Sequence, residues 1–217
     1  MNPMNRTAIR KLEDEIACAV HFDGRVMISG ERGTGKKLVA QLIHQRSRRR
    51  TAPFVIASRR DFAESIPQAQ NGTLLIDGIE ELTVPMQRQL HQFVEIGMKH
   101  GGPRLMTTTG PDMPARVRPD TLGTALFYRL NIVRLLIPSL REHPEDIPIL
   151  LQQHLSSCAR TNIPRLSSAA LQRLVKYAWP GNVGELKAVA ETLAEKDLRR
   201  PVEVEDLPSQ IDRMCGL

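Results

Sequence analysis

The first half of the chain alternates short apolar segments with amphipathic ones. The apolar segments have the length and composition of buried strands and lie at 25–29, 52–58, 71–77 and 103–110. Around them, apolar residues recur with helical spacing at about 7–20, 37–45, 61–70 and 84–99. Strands that alternate with helices pair in parallel through crossover connections, so this pattern predicts an α/β domain with a parallel sheet.

The pattern changes after Pro138. Three amphipathic segments at 139–159, 167–178 and 183–195 have helical spacing, and short turns rich in proline, glycine and serine join them. No strand pattern lies between these segments. We therefore expect two domains, with residues 1–139 forming the α/β domain and residues 140–217 forming a small all-helical domain.

Composition indicates the environment of the protein but not its function. The 217 residues carry a formal net charge of +6, so the surface attracts anions, including nucleotides, nucleic acid and acidic proteins. The three cysteines, Cys18, Cys158 and Cys215, lack the spacing of a zinc site or a disulfide framework. Neither a signal-peptide pattern nor an apolar run of membrane-spanning length is present, so the sequence predicts a soluble, cytoplasmic protein without membrane contact.

Arginines cluster at 46–50, at Arg59 and Arg60, and at Arg199 and Arg200. Few aromatic side chains that could stack on bases lie nearby. We therefore interpret each cluster as a solvated face or a subunit contact rather than as a nucleic-acid site.

The segment between the first strand and the following helix matches most of the phosphate-loop pattern G-x-x-x-x-G-K-[S/T]. Glycines at both ends of such a loop let backbone N–H groups converge on phosphate oxygens, and the lysine neutralises the outer phosphates. The expected nucleotide-binding residues are consecutive: Gly30, Glu31, Arg32, Gly33, Thr34, Gly35, Lys36 and Lys37. The alternative is a glycine-rich turn without a ligand. Because Lys37 replaces the usual magnesium-binding hydroxyl, small-molecule kinases and GTPases are disfavoured.

Four segments together resemble the central ATPase domain of bacterial sigma-54-dependent transcriptional activators, a branch of the AAA+ proteins. The resemblance covers roughly residues 11–208, and these segments carry it: GERGTGKKLVAQLIHQRSRRRTAPFV, GTLLIDGIEEL, LFYRLNIVRLLIPSLREHPEDIPILLQQHL and YAWPGNVGELKAVAETL. It implies a P-loop NTPase (AAA+) fold, in which a three-layer αβα domain with a parallel sheet precedes an all-helical lid. It also implies bound ATP or ADP, a magnesium ion (Mg2+) at Asp77, and Arg129 as a catalytic arginine that reaches into a neighbouring subunit.

Four positions that carry polar side chains in this family are glycine here. Gly78 stands where the family has the glutamate that activates water, and Gly110 stands where an asparagine senses the γ-phosphate, with Thr109 as a shorter stand-in. Gly123 replaces the first of two intersubunit arginines, and Gly184 replaces a lid arginine that contacts the phosphates. Since phosphoryl transfer is catalysed almost wholly by positioned charge, the resemblance implies weak or absent ATP hydrolysis.

Glu80 lies two residues beyond the missing glutamate and is not expected to replace it. In an extended chain the two Cα atoms would be about 6.5 Å apart, and a misplacement of about 1 Å can cost on the order of 100-fold in rate. The segment from Arg59 to Asn71 is also too short for the GAFTGA loop that family members press against sigma-54. Direct sigma-54 contact is therefore not expected, and no receiver or dedicated DNA-binding domain is recognised.

The leading hypothesis is an ATP-binding AAA+ module of transcriptional regulation with weak or absent hydrolysis, associating with itself or with sigma-54 activators. The alternative is a protein-interaction module with a vestigial nucleotide site that modulates a full-length activator ring. Nonspecific nucleic-acid binding through the basic surface and a decayed fragment without function also stay open.

Overall fold

The protein is described by a computed structural model that covers residues 3–57, 61–96, 102–112, 122–158, 163–196 and 200–213. Its contacts divide the chain into two compact units. The α/β unit contains residues 6–31 and 35–137, and the helical unit contains residues 138–217 together with residues 1–5 and 32–34. Arg59, Arg60, Arg199 and Cys215 lie outside the described residues.

In the α/β unit, helices alternate with five parallel strands in the order β2-β3-β4-β1-β5. The strands are β1 (Val26–Ser29), β2 (Phe54–Ala57), β3 (Thr73–Ile76), β4 (Arg104–Thr109) and β5 (Val133–Leu136). The helices are α1 (Pro3–His21), α2 (Lys36–Arg46), α3 (Phe62–Gln68), α4 (Val84–Ile96) and α5 (Leu122–Leu130). The predicted α/β class and parallel sheet are confirmed.

Neighbouring residues of each central strand point to opposite faces of this sheet. Met27 and Leu105 pack in one apolar cluster with α4 and α5, whereas Ile28 and Met106 pack in a second cluster with α1 and α2. Period-two alternation of this kind is what a pleated strand produces when both faces are covered. The unit therefore has the three layers that the resemblance implied, with helices on both faces.

Arg104, at the start of β4, is the least expected member of this core. Its side chain is buried and donates hydrogen bonds to the carbonyl oxygens of Ala19, Phe22 and Gly24. Burial lowers the pKa of its guanidinium. The three carbonyl partners make burial of the charged group tolerable and join the end of α1 to the sheet.

The helical unit contains α6 (Ile147–Cys158), α7 (Ser168–Lys176), α8 (Asn182–Glu195) and the short α9 (Ser209–Arg213). Its core surrounds the fully buried Trp179. The prediction of one helix over 139–159 is wrong at its start, where two 3-10 turns, Leu140–Glu142 and Pro144–Asp146, precede α6. Pro144 explains the break, because proline disfavours helical geometry in the preceding residue, and His143 has φ −132°.

Within the described ranges, no helix is both long enough and apolar enough to cross a membrane.

Candidate functional site

The glycine-rich loop follows β1 directly and leads into α2. Gly30 N donates to the carbonyl oxygen of Thr109 at 3.3 Å, which fixes the start of the loop beside the end of β4. Gly35 has φ 93°, in the left-handed region that favours glycine, and no side chain caps the first turn of α2. The N–H groups of that first turn, together with the positive end of the helix dipole, suit an anion.

Lys36, the first residue of α2, holds its ammonium group over this loop. Its Nζ donates to the carbonyl oxygens of Gly30 at 2.7 Å and Glu31 at 2.8 Å. Burial lowers the pKa of Lys36, and the negative charges of Glu80, Asp77 and Glu31 partly oppose that shift. The lysine and these three carboxylates therefore share one electrostatic environment at the carboxyl edge of the sheet.

Asp77 follows the last residue of β3 and is engaged through both carboxylate oxygens. Oδ1 accepts a hydrogen bond from Thr108 Oγ1 at 2.8 Å. Oδ2 forms an ion pair with Lys37 Nζ, also at 2.8 Å. Thr108 Oγ1 in turn accepts from Gly78 N at 2.9 Å, so a threonine of β4 connects the two residues that follow β3.

This arrangement does not fit the magnesium ion that the resemblance implied at Asp77. Magnesium prefers oxygen ligands, whereas position 37 supplies an ammonium group that already contacts the carboxylate.

Glu80 is closer to this site than the sequence suggested. The assumption of an extended chain after Asp77 is wrong, because Gly78 has φ 70° and Ile79–Glu81 form a 3-10 turn. The turn directs Glu80 towards β4, where its Oε1 accepts from Gly110 N at 2.9 Å. Thr109, the expected stand-in for the sensor, is instead buried, and its Oγ1 has no hydrogen-bond partner among the described residues. Thr108, which the sequence did not single out, is the threonine that contacts Asp77.

Gly78→Ala is expected to destabilise the protein by about 1–2 kcal/mol, because an L-residue pays roughly that cost in the left-handed region. Denaturant unfolding of wild type and variant would measure the difference. Gly110→Ala is the matched control, since its Cβ would meet only Glu80 Oε1 at 3.6 Å, an ordinary contact. Equal stabilities for the two variants would contradict the role assigned to the Gly78 conformation.

Arg129, the predicted intersubunit arginine, lies away from the loop of its own chain. It is the penultimate residue of α5 and pairs with Glu95 of α4 at 2.9 Å, with both side chains nearly half exposed. Burial lowers the pKa of Arg25, and the nearby positive charge of Arg129 adds to that shift. Arg25 precedes β1 and therefore marks the strand end opposite the loop. Gly123 lies near the start of the same helix, α5.

Residues 32–34 of the loop group with the helical unit and contact α8 there. Gly184 N donates to the carbonyl oxygen of Gly33 at 3.1 Å. The buried Asn182 donates through Nδ2 to the carbonyl oxygen of Arg32 at 2.9 Å. Asn182 was not predicted as a site residue, although it belongs to the quoted WPGNV segment.

The described arginines of the basic clusters include two that form ion pairs within their own unit. Arg49 binds both carboxylate oxygens of Asp23, at 2.7–3.0 Å, and donates to three backbone carbonyls. Arg200 pairs with Asp206 at 2.6 Å. These two side chains therefore have structural partners.

Two protein families match this chain, and the boundary between the two matches lies close to the boundary between the two units. The sigma-54 interaction domain matches residues 5–140, and the AAA+ ATPase lid domain matches residues 141–214. Similar proteins include the DNA-binding transcriptional regulator NtrC of Bradyrhizobium sp. (strain RP501 Parasponia), 33% identical over 86% of this chain and 46% of NtrC. Regulatory protein AtoC of Escherichia coli (strain K12) is 32% identical over 86% of this chain and 48% of AtoC. The chain thus spans about half the length of these relatives.

Solved structures agree with this comparison. NtrX from Brucella abortus in complex with ADP has a TM-score of 0.82 and 25% identity, covering 94% of this chain and 54% of NtrX. Its complex with ATP gives the same TM-score and identity, covering 97% of this chain and 57% of NtrX. The resemblance drawn from the sequence is confirmed: the chain belongs to the sigma-54 interaction domain family of AAA+ proteins.

Proposed function

We propose that the chain is an ATP- or ADP-binding AAA+ module of transcriptional regulation in which hydrolysis is weak or absent. The observation that carries the proposal is the position of Lys36 Nζ over the glycine-rich loop, at the uncapped first turn of α2. A phosphate that enters this loop meets backbone N–H groups and an ammonium group together. NtrX, which shares the fold, has been solved with ADP and with ATP, and this supports the same ligand class here.

Binding is proposed through the loop residues that the sequence singled out, from Gly30 to Lys37. Gly30, Glu31 and Gly35 supply backbone at the carboxyl edge of the sheet, and Lys36 supplies the charge. Arg32, Gly33 and Thr34 complete the loop in sequence. Asp77 serves as the acidic partner of the Lys37 ammonium group beside this loop.

Weak hydrolysis follows from what surrounds the reacting phosphate in this proposal. Gly78, Gly110, Gly123 and Gly184 lack the charged or polar side chains that would activate water and stabilise the transition state. Glu80 brings a carboxylate to the same edge, but that carboxylate already accepts a hydrogen bond from Gly110 N. Arg129 would act on a neighbouring subunit if the chain oligomerises.

The test is calorimetry with ATP and with ADP, with phosphate release measured in parallel. We expect binding of both nucleotides and phosphate release slower than about 0.01 per second, some 1,000-fold below a typical enzyme turnover of roughly 10 per second. No binding of either nucleotide at millimolar concentration would refute the proposal. Turnover near the typical value would show that the four glycines have been misinterpreted.

Glu80→Gln separates the two explanations of any residual turnover. If Glu80 only holds Gly110, the rate should change by less than about twofold. If Glu80 activates water, removing its basicity should lower the rate by 100-fold or more, the usual contribution of a general base. Lys36→Ala supplies the background from contaminating ATPases.

A second candidate function is a protein-interaction module with a vestigial nucleotide site. The observation in its favour is that Lys36, Lys37 and Asp77 are already bonded within the chain. Sedimentation velocity with and without ATP, on wild type and Lys36→Ala, distinguishes the two candidates. Assembly that depends on ATP and weakens in the variant supports the nucleotide-binding module, whereas assembly that is indifferent to both supports the interaction module.

A further inference from the structure

We propose that the ammonium group of Lys37 takes the place of the magnesium ion, so that this chain binds nucleotide without a divalent cation. The inference rests on the proposed nucleotide-binding function and specifies how that site is neutralised. It replaces the expectation, drawn from the resemblance, that Asp77 holds a metal.

The position of Lys37 in the loop gives the first reason. Position 37 directly follows the phosphate-loop lysine. The general phosphate-loop pattern has a serine or threonine there, whose hydroxyl binds magnesium, and the family that the sequence resembles commonly has a glutamate, so a second lysine departs from both. Lys37 instead reaches Asp77 Oδ2 with its Nζ at 2.8 Å. The positive charge therefore lies against the carboxylate beside which a metal would be held.

The other oxygen of Asp77 gives the second reason. Oδ1 accepts the hydroxyl hydrogen of Thr108 at 2.8 Å, and that hydroxyl accepts from Gly78 N at 2.9 Å. The carboxylate is thus oriented by β4 and faces Lys37 with its remaining oxygen. A magnesium ion at this carboxylate would have to displace the ammonium group.

Comparison with other lysine pairs shows that this contact is built between elements. Lys11–Glu15 and Lys187–Glu191 are pairs four residues apart within one helix, at 3.9 Å and 3.7 Å. Lys37–Asp77 instead joins the first turn of α2 to the end of β3, and its atoms are closer. Helical spacing alone therefore does not produce it.

The ammonium group of Lys37 can also contact a bound ligand. Its side chain is 56% exposed although its ammonium group is paired. An ammonium group has three donors, so one can stay on Asp77 while another reaches a phosphate oxygen. Lys36 and Lys37 together offset two of the three carboxylates at this site, Asp77, Glu80 and Glu31. A hydroxyl in place of Lys37 would leave the site more negative and in greater need of an added cation beside a polyphosphate.

The experiment is calorimetry of ATP binding in excess magnesium and in EDTA, on wild type, Lys37→Thr and Lys187→Thr. For wild type we expect dissociation constants that agree within about threefold in the two buffers. In EDTA, Lys37→Thr should bind ATP at least tenfold more weakly than wild type. In magnesium it should recover most of the lost affinity, because threonine supplies a hydroxyl and frees Asp77. Lys187, at 57% exposure and also paired, is the matched control and should behave as wild type.

Wild-type binding that weakens tenfold or more in EDTA would overturn this inference and leave the nucleotide-binding proposal standing. Absence of binding to wild type in both buffers would overturn both. The wild-type comparison decides by itself if Lys37→Thr fails to fold, which its circular dichroism spectrum would reveal. Equal loss in Lys187→Thr would also count against the inference, because it would indicate a general charge effect.

Discussion

Lys36→Ala is expected to weaken ATP binding ten- to hundredfold. Hydrogen bonds to a charged group contribute about 1.5–3 kcal/mol, which corresponds to that range in the dissociation constant. Lys36 Nζ also donates to the carbonyl oxygens of Gly30 and Glu31, so alanine removes the charge and loosens the loop together. Calorimetry with ATP, under the conditions that give the tightest wild-type binding, measures the effect.

Two further variants show whether the loss belongs to the site. Lys187→Ala removes one exposed lysine from α8 and should leave the affinity within about twofold of wild type. Lys36→Arg keeps the positive charge and should retain part of the affinity, because a guanidinium donates in a different geometry from an ammonium group. An unchanged affinity in Lys36→Ala would mean that nucleotide does not bind at this loop and would favour the interaction module.

Four strands were predictable because each contains adjacent apolar or β-branched residues bounded by turn residues. β1 and β3 are fully buried, so their sequences carry the whole signal. β5 was missed because Arg134 interrupts its four residues, VRLL. β2 is the other edge strand and is also partly exposed, but its run FVIA holds no charged residue and was predicted. An edge strand with a charged residue has little apolar pattern to detect.

The loop and Asp77 were predictable because each follows a buried strand at a fixed spacing. The contacts between them were not, since they join residues that are distant in the chain. Lys37 and Asp77 are 40 positions apart in the numbering, and Thr108 meets Asp77 only because β3 and β4 are paired. The hydrogen bond between Glu80 and Gly110 N depends on the 3-10 turn at 79–81. An extended chain was expected there from the sequence, so this bond was not predictable.

Three of the four glycines substituted for family side chains are engaged through their backbone. Gly78 N donates to Thr108, Gly110 N donates to Glu80, and Gly184 N donates to the carbonyl oxygen of Gly33. From the sequence alone, we interpreted these positions as places where a side chain is missing. Their N–H groups nevertheless bind specific partners, so a side chain restored at one of them must preserve these bonds before it can restore chemistry. We therefore expect single reversions to be poor tests of the proposed weak hydrolysis.

Trp179→Ala is expected to destabilise the helical unit by about 3–5 kcal/mol, the usual cost of removing a buried aromatic side chain. Trp179 is fully buried at the centre of the helical core. Its Nε1 donates to the carbonyl oxygen of Leu174 at 2.9 Å, and its ring meets Tyr177 edge-on at a centroid distance of 5.1 Å. Tyr177 is itself fixed by a hydrogen bond from its hydroxyl to Glu185 at 2.9 Å, so the cavity left by alanine has little freedom to collapse.

Far-ultraviolet circular dichroism during denaturant unfolding measures this loss, since the variant lacks the only tryptophan of the chain. Trp179→Phe separates packing from hydrogen bonding, because it keeps an aromatic ring but removes the indole donor, and the Leu174 carbonyl oxygen then keeps only its longer bond from Tyr177 N at 3.4 Å. We expect that variant to lose about 0.5–1.5 kcal/mol, the usual net contribution of one hydrogen bond. Alanine and phenylalanine share the φ of 50° found at this position, so backbone strain cancels between them. A loss below about 1 kcal/mol in Trp179→Ala would show that the helical core does not depend on this side chain.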